Sequence, residues 1–345
     1  MTVEQLIISQ INKKGSISVD EYIHLCQFEE EGYYLKNVPI GSKNDFITAP
    51  EISQMFGEIL TLFIINYWKE NINKKFNLVE LGPGKGTLIK DLLRTASKNK
   101  KFLNNANLIL IEKNNNLIDL QKNAVNFGNS YWSKEFNIPN KNIPSIIYSN
   151  EFFDCFPVRQ FHKKHNWYEK LIQYDNSEKN FKFISKEIKD INLLKSLEKF
   201  DNVKVAEISD SRNNYFNIIC KFIKKYKGVF ITIDYGYKIP PNHLSLQTIY
   251  NHKKTHLFEN IGNQDITTHV DFDELILLAN QNNLSIDLFC SQRDFLINHG
   301  IKERKKKLQE NKSEETIKNL NLQYERLVNK SQMGEIFKVL VISCL

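Results

Sequence analysis

Four short apolar runs set the limits on what this chain can fold into: "FNLVEL" (76–81), "NLILIEK" (107–113), "SIIYSNEFF" (145–153) and "GVFITIDYGY" (228–237). Turn formers bound each run, and segments with helical apolar spacing separate them. Runs that stay apolar without alternation are buried on both faces, and strands joined through helices lie parallel. The pattern predicts an α/β fold with a doubly wound, Rossmann-like sheet. "LSIDLFCSQRDFL" (284–296) and "EIFKVLVISCL" (335–345) are further strand candidates.

Ahead of the first run, residues 1–75 read as a helical N-terminal cap with one long loop. "SVDE" from Ser18 has the capping-box pattern, with Glu21 as its partner. It opens a helix that turns Val19, Tyr22, Ile23 and Cys26 inward and ends near Gly32. "NVPIGSKNDFITAPE" (37–51) is rich in turn formers, and "ISQMFGEILTLFIINYW" (52–68) returns to helical spacing. Residues 76–345 then form the sheet domain, with insertions at about 162–205 and about 296–330. The first reads as a β-hairpin around Asn176 and Ser177, the second as a charged helical pair, either solvated surface or lid.

Composition narrows the partners. The 345 residues are 41% apolar and 25% charged, as in an ordinary globular protein of one large domain with elaborations, or of two. A net charge of +7, from 47 basic and 40 acidic residues spread along the chain, is too mild to imply a nucleic acid. The five cysteines lie far apart and read as reduced, mostly buried thiols. No run approaches the roughly 18 apolar residues of a spanning helix, so no stable membrane insertion is expected. "MTVEQLIISQINKKG" resembles neither a signal peptide nor a transit peptide. A cytoplasmic location in a bacterium is expected, or the mitochondrial matrix if a transit peptide precedes the given sequence. No side-chain cluster has metal-ligand spacing, so no metal is expected.

The turn after the first run carries the ligand signal. Gly82, Gly84 and Gly86 give G-x-G-x-G, with Pro83 between the first two. A dinucleotide fingerprint places its third glycine one position later, where this chain has Thr87. Glu80 just before the loop would repel a pyrophosphate but suits an ammonium group. S-adenosyl-L-methionine has an ammonium, a sulfonium and a ribose diol, and no phosphate. Glu80 faces its positive end on this reading, the loop and helix amides meet its carboxylate, and Glu112 accepts from the ribose hydroxyls. The structural alternatives are that Glu80 only fixes the loop and that Glu112 is a solvated strand end.

"DFITAPEISQMFGE" (45–58), "VELGPGKGTL" (79–88), "SNEFFDCFPVRQF" (149–161), "IDYGY" (233–237), "DITTHVDF" (265–272) and "MGEIFKVL" (333–340) occur in this order. Together they resemble the MidA family of class I S-adenosylmethionine-dependent methyltransferases, essentially end to end. The resemblance implies a Rossmann-like methyltransferase sheet with a helical N-terminal extension and inserted hairpin and lid elements over the substrate side. It implies protein arginine methylation, to symmetric dimethylarginine, during assembly of respiratory complex I. The partner so implied is the subunit at the quinone end of the peripheral arm. Two positions depart from the family pattern, Asn44 and Arg293, each where glycine is usual.

An arginine acceptor has no free lone pair, and its guanidinium has a pKa above about 12. A carboxylate that grips the N–H fork and accepts the proton answers that difficulty. Glu151 and Asp154, after the strand "SIIYS", are the catalytic candidates. The alternative leaves Asp154 to cap a turn before Pro157. Asn150 is placed to hydrogen-bond the cofactor's amino or adenine side. Asp45, Thr48, Glu51 and Ser53 line the site from the N-terminal cap, unless "TAPE" merely starts a helix at Pro50. Asp234 either completes an acidic pocket or fixes a loop, and His269 is either a proton relay or a structural histidine.

Overall fold

The computed structural model of the protein describes residues 1–36 and 48–345. Asp45 and Asn44 lie outside these described residues. Seven strands build the main sheet: β1 (Phe76–Leu81), β2 (Ala106–Ile111), β3 (Ser130–Ser133), β4 (Ser145–Asn150), β5 (Gly228–Tyr237), β6 (Ser285–Ser291) and β7 (Phe337–Cys344). Their spatial order is β6-β7-β5-β4-β1-β2-β3. Pairing is parallel from β5 to β3, and β7 runs antiparallel to both β5 and β6. A two-residue strand, Val270–Asp271, extends the sheet beside the end of β5.

Alternation along each central strand divides the core between two helical layers. Leu78, Ile146 and Tyr148 pack on one face with Trp68, Leu92 and Leu327. Val79, Leu81 and Ile147 pack on the other with Phe216, Ile219 and Leu275. Both faces are therefore dry, which is why β1 is buried along its whole length. The chain runs outward from β1 to β3 and then returns to β4 on the other side of β1. That reversal opens a crevice at the carboxyl ends of β1 and β4, the place where open α/β sheets take their ligands.

The N-terminal helices belong to a second, five-stranded sheet. Its members are Ile17–Ser18, Arg159–Lys163, Trp167–Asp175, Asn180–Glu187 and Val205–Ile208. The hairpin expected around Asn176 and Ser177 is present: Asp175 Oδ1 accepts from the amides of Ser177 and Glu178, closing the turn. Val3, Ile7, Tyr22 and Ile23 pack with Ile172 of that sheet. Helix Gln54–Asn71, by contrast, packs in the main core.

Four local readings need correction. Ser18 caps its helix by position alone, because Glu21 pairs with Lys14 instead. The complete capping box is at Thr2 and Gln5, and the helix from Val19 ends at Phe28, before Gly32. The strand in "LSIDLFCSQRDFL" stops at Ser291, which caps a helix, Gln292–Asn298. Arg293 sits inside that helix and donates to the Val328 carbonyl at 2.7 Å. Of the cysteines, only Cys26 and Cys220 are fully buried; all five are unpaired.

The charged helical pair, Ile301–Gln309 and Glu314–Val328, is rooted in the main core through Ile301, Tyr324, Leu327 and Val328. An ion cluster fixes it further. Glu58, buried on helix Gln54–Asn71, accepts from Arg94 Nη1 at 2.8 Å and from Arg304 Nε and Nη2 at 2.6 and 2.9 Å. Burial pushes the Glu58 carboxyl up, but the hydrogen bonds and charges of Arg304 and Arg94 outweigh it and hold the group below its usual range. Its contribution is thus present above the ordinary glutamate pKa and fades as pH falls. Glu58→Ala should cost about 2 kcal/mol, less than a fully buried pair because both arginines reach solvent. A urea unfolding midpoint unchanged at pH 7 would refute this.

Candidate functional site

β1 delivers Glu80 and then a turn that only glycine accommodates easily. Gly82, Gly84 and Gly86 have φ of +60°, +56° and +79°. At Gly82 a Cβ would also come within 2.8 Å of Phe152 Cδ2. The Gly82 amide donates to the Ile111 carbonyl at 2.9 Å, tying the turn to β2, and Gly86 caps helix Thr87–Ala96. Gln121, which sequence reasoning missed, braces the turn from beneath. It donates to the Gly84 carbonyl at 2.6 Å and accepts from Trp132 Nε1 at 3.1 Å. Nothing in the local spacing marks Gln121, since its partners come from other elements.

A cavity of about 360 Å³ opens above this turn. Glu80, Gly82, Pro83, Gly84, Thr87, Glu112, Asn150, Glu151 and Asp154 line it from the sheet side, and Thr48 and Glu51 from the N-terminal side. Gly86 is not among the lining residues. Phe28, Tyr34, Phe136, Phe152, Phe156 and Tyr215 give the rest of the wall an aromatic share.

The carboxylates are held in distinct ways. Glu80 is buried at the tip of β1, and its Oε2 accepts from Tyr148 Oη at 2.9 Å. Burial pushes it up to about 8, against the pull of the Tyr148 hydrogen bond, and the Glu112 charge adds to the rise. Glu112 follows β2, accepts from the Asn114 amide at 3.0 Å, and is pushed by burial up to about 7. Glu151 follows β4 with φ +49°, an uncommon conformation for a side-chain-bearing residue. Its Oε1 accepts from the Ala49 amide at 2.9 Å and from Asn150 Nδ2 at 3.0 Å. Among the described residues its Oε2 receives no hydrogen bond. Burial moves Glu151 up to about 7.

Asp154 carries a compensation that the sequence did not reveal. Burial raises its pKa, and the buried guanidinium of Arg212 opposes the rise. Arg212 itself donates to the Phe153 carbonyl at 2.9 Å, to Thr268 Oγ1 at 2.9 Å and to the His269 carbonyl at 3.3 Å. The cation that a buried acid in this stretch requires is therefore partly internal.

Three residues expected at the site lie elsewhere. Asp234 is fully buried at the end of β5, where its Oδ2 accepts from the amides of Phe152 and Phe153 at 3.1 and 2.8 Å and its Oδ1 from that of Tyr235 at 2.9 Å. With its oxygens spent on backbone, it fixes the loop and has no surface for a substrate. His269 packs edge-on against Tyr235, outside the cavity wall, and its amide donates to Ser245 Oγ at 2.8 Å. Burial keeps its imidazole below the usual range, which suits a neutral structural ring. Ser53 caps helix Gln54–Asn71 through the Met55 amide at 3.3 Å.

A crevice at the strand-order reversal, floored by a glycine turn and flanked by two acids, fits an ammonium-bearing ligand better than a diphosphate. Residues 59–290 match the sequence profile of a family of S-adenosyl-L-methionine-dependent methyltransferases. The chain belongs to this family, the MidA methyltransferases. Its curated relatives include the mitochondrial protein arginine methyltransferase NDUFAF7 of Danio rerio, 28% identical over 96% of this chain and 84% of the relative. The Homo sapiens protein of that name is 29% identical over 96% of this chain and 81% of the relative. A Burkholderia thailandensis crystal structure bound to S-adenosyl-homocysteine shares the fold, with a TM-score of 0.87 at 20% identity, over 99% of this chain and 92% of that one. The fold is that of a Rossmann-like class I methyltransferase.

S-adenosyl-L-methionine is the cofactor of this MidA methyltransferase, and the residues present fit it. The three left-handed glycines bare the main chain, two carboxylates stand on adjacent strand tips, and the lining offers acceptors for an ammonium and a diol. Asn150 Oδ1 is buried without a partner among the described residues, a vacancy for one further N–H or O–H donor. Among the described residues no helix is long and apolar enough to cross a membrane.

Proposed function

We propose that this methyltransferase modifies arginine side chains of a protein. We further propose that the product is symmetric dimethylarginine, and that the acceptor is the quinone-end peripheral-arm subunit of respiratory complex I during its assembly. The observation that carries the reading is the state of Glu151, which lines the cavity: one oxygen accepts from two N–H donors, and no described residue donates to the other. The names of the mitochondrial relatives point the same way.

In this reading Glu80 holds the cofactor's ammonium, the amides of the glycine turn its carboxylate, and Glu112 its ribose. Asn150 supplies the remaining acceptor. Bound S-adenosyl-L-methionine provides an electrophilic methyl group. Glu151 Oε2 accepts from the guanidinium N–H fork, draws positive charge away from the attacking nitrogen and takes up its proton. Burial makes the carboxyl basic enough to hold that proton near neutral pH before passing it to solvent. The Arg212 charge already compensates Asp154 in part, so Glu151 is the acid assigned to the acceptor. Thr48 and Glu51 border the acceptor side. Aromatic walls exclude water from the acceptor path.

The test is incubation of the protein with methyl-labelled cofactor and the matching respiratory subunit, followed by analysis of the labelled residue. Label on symmetric dimethylarginine supports the reading. Label confined to another side chain or to small molecules overturns it.

A further inference from the structure

The four-residue turn Ala49–Ile52 is tethered at two points. At one, the Ala49 amide donates to Glu151 Oε1 at 2.9 Å. At the other, Glu51 Oε1 accepts a hydrogen bond from Thr87 Oγ1. Thr87 opens the helix that follows the glycine turn, so the short segment bridges the cofactor side of the cavity to the acid of the acceptor side. Ala49 and Pro50 are buried, and Pro50 has no amide hydrogen, so the Ala49 amide is the segment's donor toward Glu151. Glu151 has need of outside support. A non-glycine residue in the left-handed region costs about 1–2 kcal/mol and persists only where its surroundings over-determine it. The amide of Glu151 bonds the Ile233 carbonyl at 2.9 Å, which fixes the main chain but leaves the side chain to Ala49 and Asn150.

We propose that Glu51 and Thr87 are a positioning pair, which holds the Ala49 amide against Glu151 and so keeps the free carboxylate oxygen aimed at the acceptor. The pair makes the order of the cofactor loop a condition for the order of the acid. It rests on the reading of Glu151 as the group that takes the acceptor's proton.

The Ala49 hydrogen bond stabilises the ionised form of Glu151, against burial and the neighbouring Asp154 charge. Charged groups that bear on Glu151 are Asp154 on its own loop, Asp234 on β5 and Arg326 on helix Glu314–Val328. A slackened turn loses the amide's contribution, while these three groups stay in place.

The experiment is the pH profile of kcat at saturating cofactor for wild type, Thr87→Val, Thr87→Ser and Glu51→Ala. Thr87→Val should lower kcat about tenfold and move the acidic limb upward by about 0.7 pH unit, the worth of roughly 1 kcal/mol in a hydrogen bond. Thr87→Ser, which keeps the hydroxyl, should restore both. Glu51→Ala should reproduce the lowered kcat and lies outside the helix, which guards against a folding failure at Thr87. An acidic limb that stays put in Thr87→Val, or a defect that Thr87→Ser leaves unrepaired, overturns the proposal. Full activity in Glu151→Gln would overturn the reading beneath it. An inactive Glu151→Gln with an unmoved limb in Thr87→Val sinks the positioning role alone.

Discussion

Glu151→Gln should reduce kcat about a thousandfold while leaving cofactor binding as in wild type. Glutamine keeps the length of the side chain, and its carbonyl oxygen can still accept from the Ala49 amide and Asn150 Nδ2. The fold around the left-handed residue therefore survives. What disappears is the negative charge on the second oxygen, which grips the acceptor and takes its proton. Single-turnover rates, with cofactor affinity measured separately by calorimetry, separate the two effects. A variant that methylates at the normal rate would remove Glu151 from the chemistry. One that no longer binds cofactor would show that the carboxylate serves the donor instead. Asp154→Asn should behave differently: it removes a negative charge that interacts with the buried Arg212, so its main effect falls on the unfolding midpoint.

The contrast between these two acids also shows what the sequence could and could not disclose. The strands β1, β2, β4 and β5 were legible because each is buried on both faces and so carries an unbroken apolar run. β3 was not, since a four-residue edge strand with exposed Tyr131 has neither length nor periodicity. The glycine turn and the acids on either side of it stood out through local spacing alone. Arg212, Gln121 and the Thr87–Glu51 bond did not, because each joins elements far apart in the chain and depends on the tertiary fold. For the same reason Asp234 and His269 looked like site residues. Their neighbours in sequence are those of a strand end facing the crevice, and only the fold shows Asp234 turned back onto the Phe152 and Phe153 amides. The second sheet, with Ile17 and Ser18 paired to Leu171 and Ile172, joins the N-terminus to the hairpin across a sequence gap that no pattern bridges.

The acids of the crevice predict how cofactor affinity responds to pH. Burial pushes Glu80 up to about 8 and Glu112 up to about 7, so near neutrality both carry protons for much of the time. Both exceed the ordinary glutamate value, so at these two groups the folded chain binds more protons than the unfolded one above about pH 4.5 and up to about pH 8. The contribution of these acids to stability is fully present below the unfolded pKa and is lost as pH rises through the folded values. For Glu80 the loss is about 3 kcal/mol by pH 7. A ligand ammonium against Glu80 favours the ionised form, so binding drives a proton off. Affinity for S-adenosyl-L-methionine should then rise by up to tenfold per unit between pH 6 and 7.5, with proton release visible in buffers of different ionisation enthalpy. The free protein's melting temperature should fall over the same interval. Glu80→Gln should weaken binding about thirtyfold at pH 7.5, the worth of roughly 2 kcal/mol in a charged hydrogen bond, and flatten the slope. The ligand's own amino group titrates identically against both proteins, so the difference between them isolates Glu80. Equal slopes in the two, or an affinity that ignores pH in the wild type, would mean that the ammonium sits elsewhere.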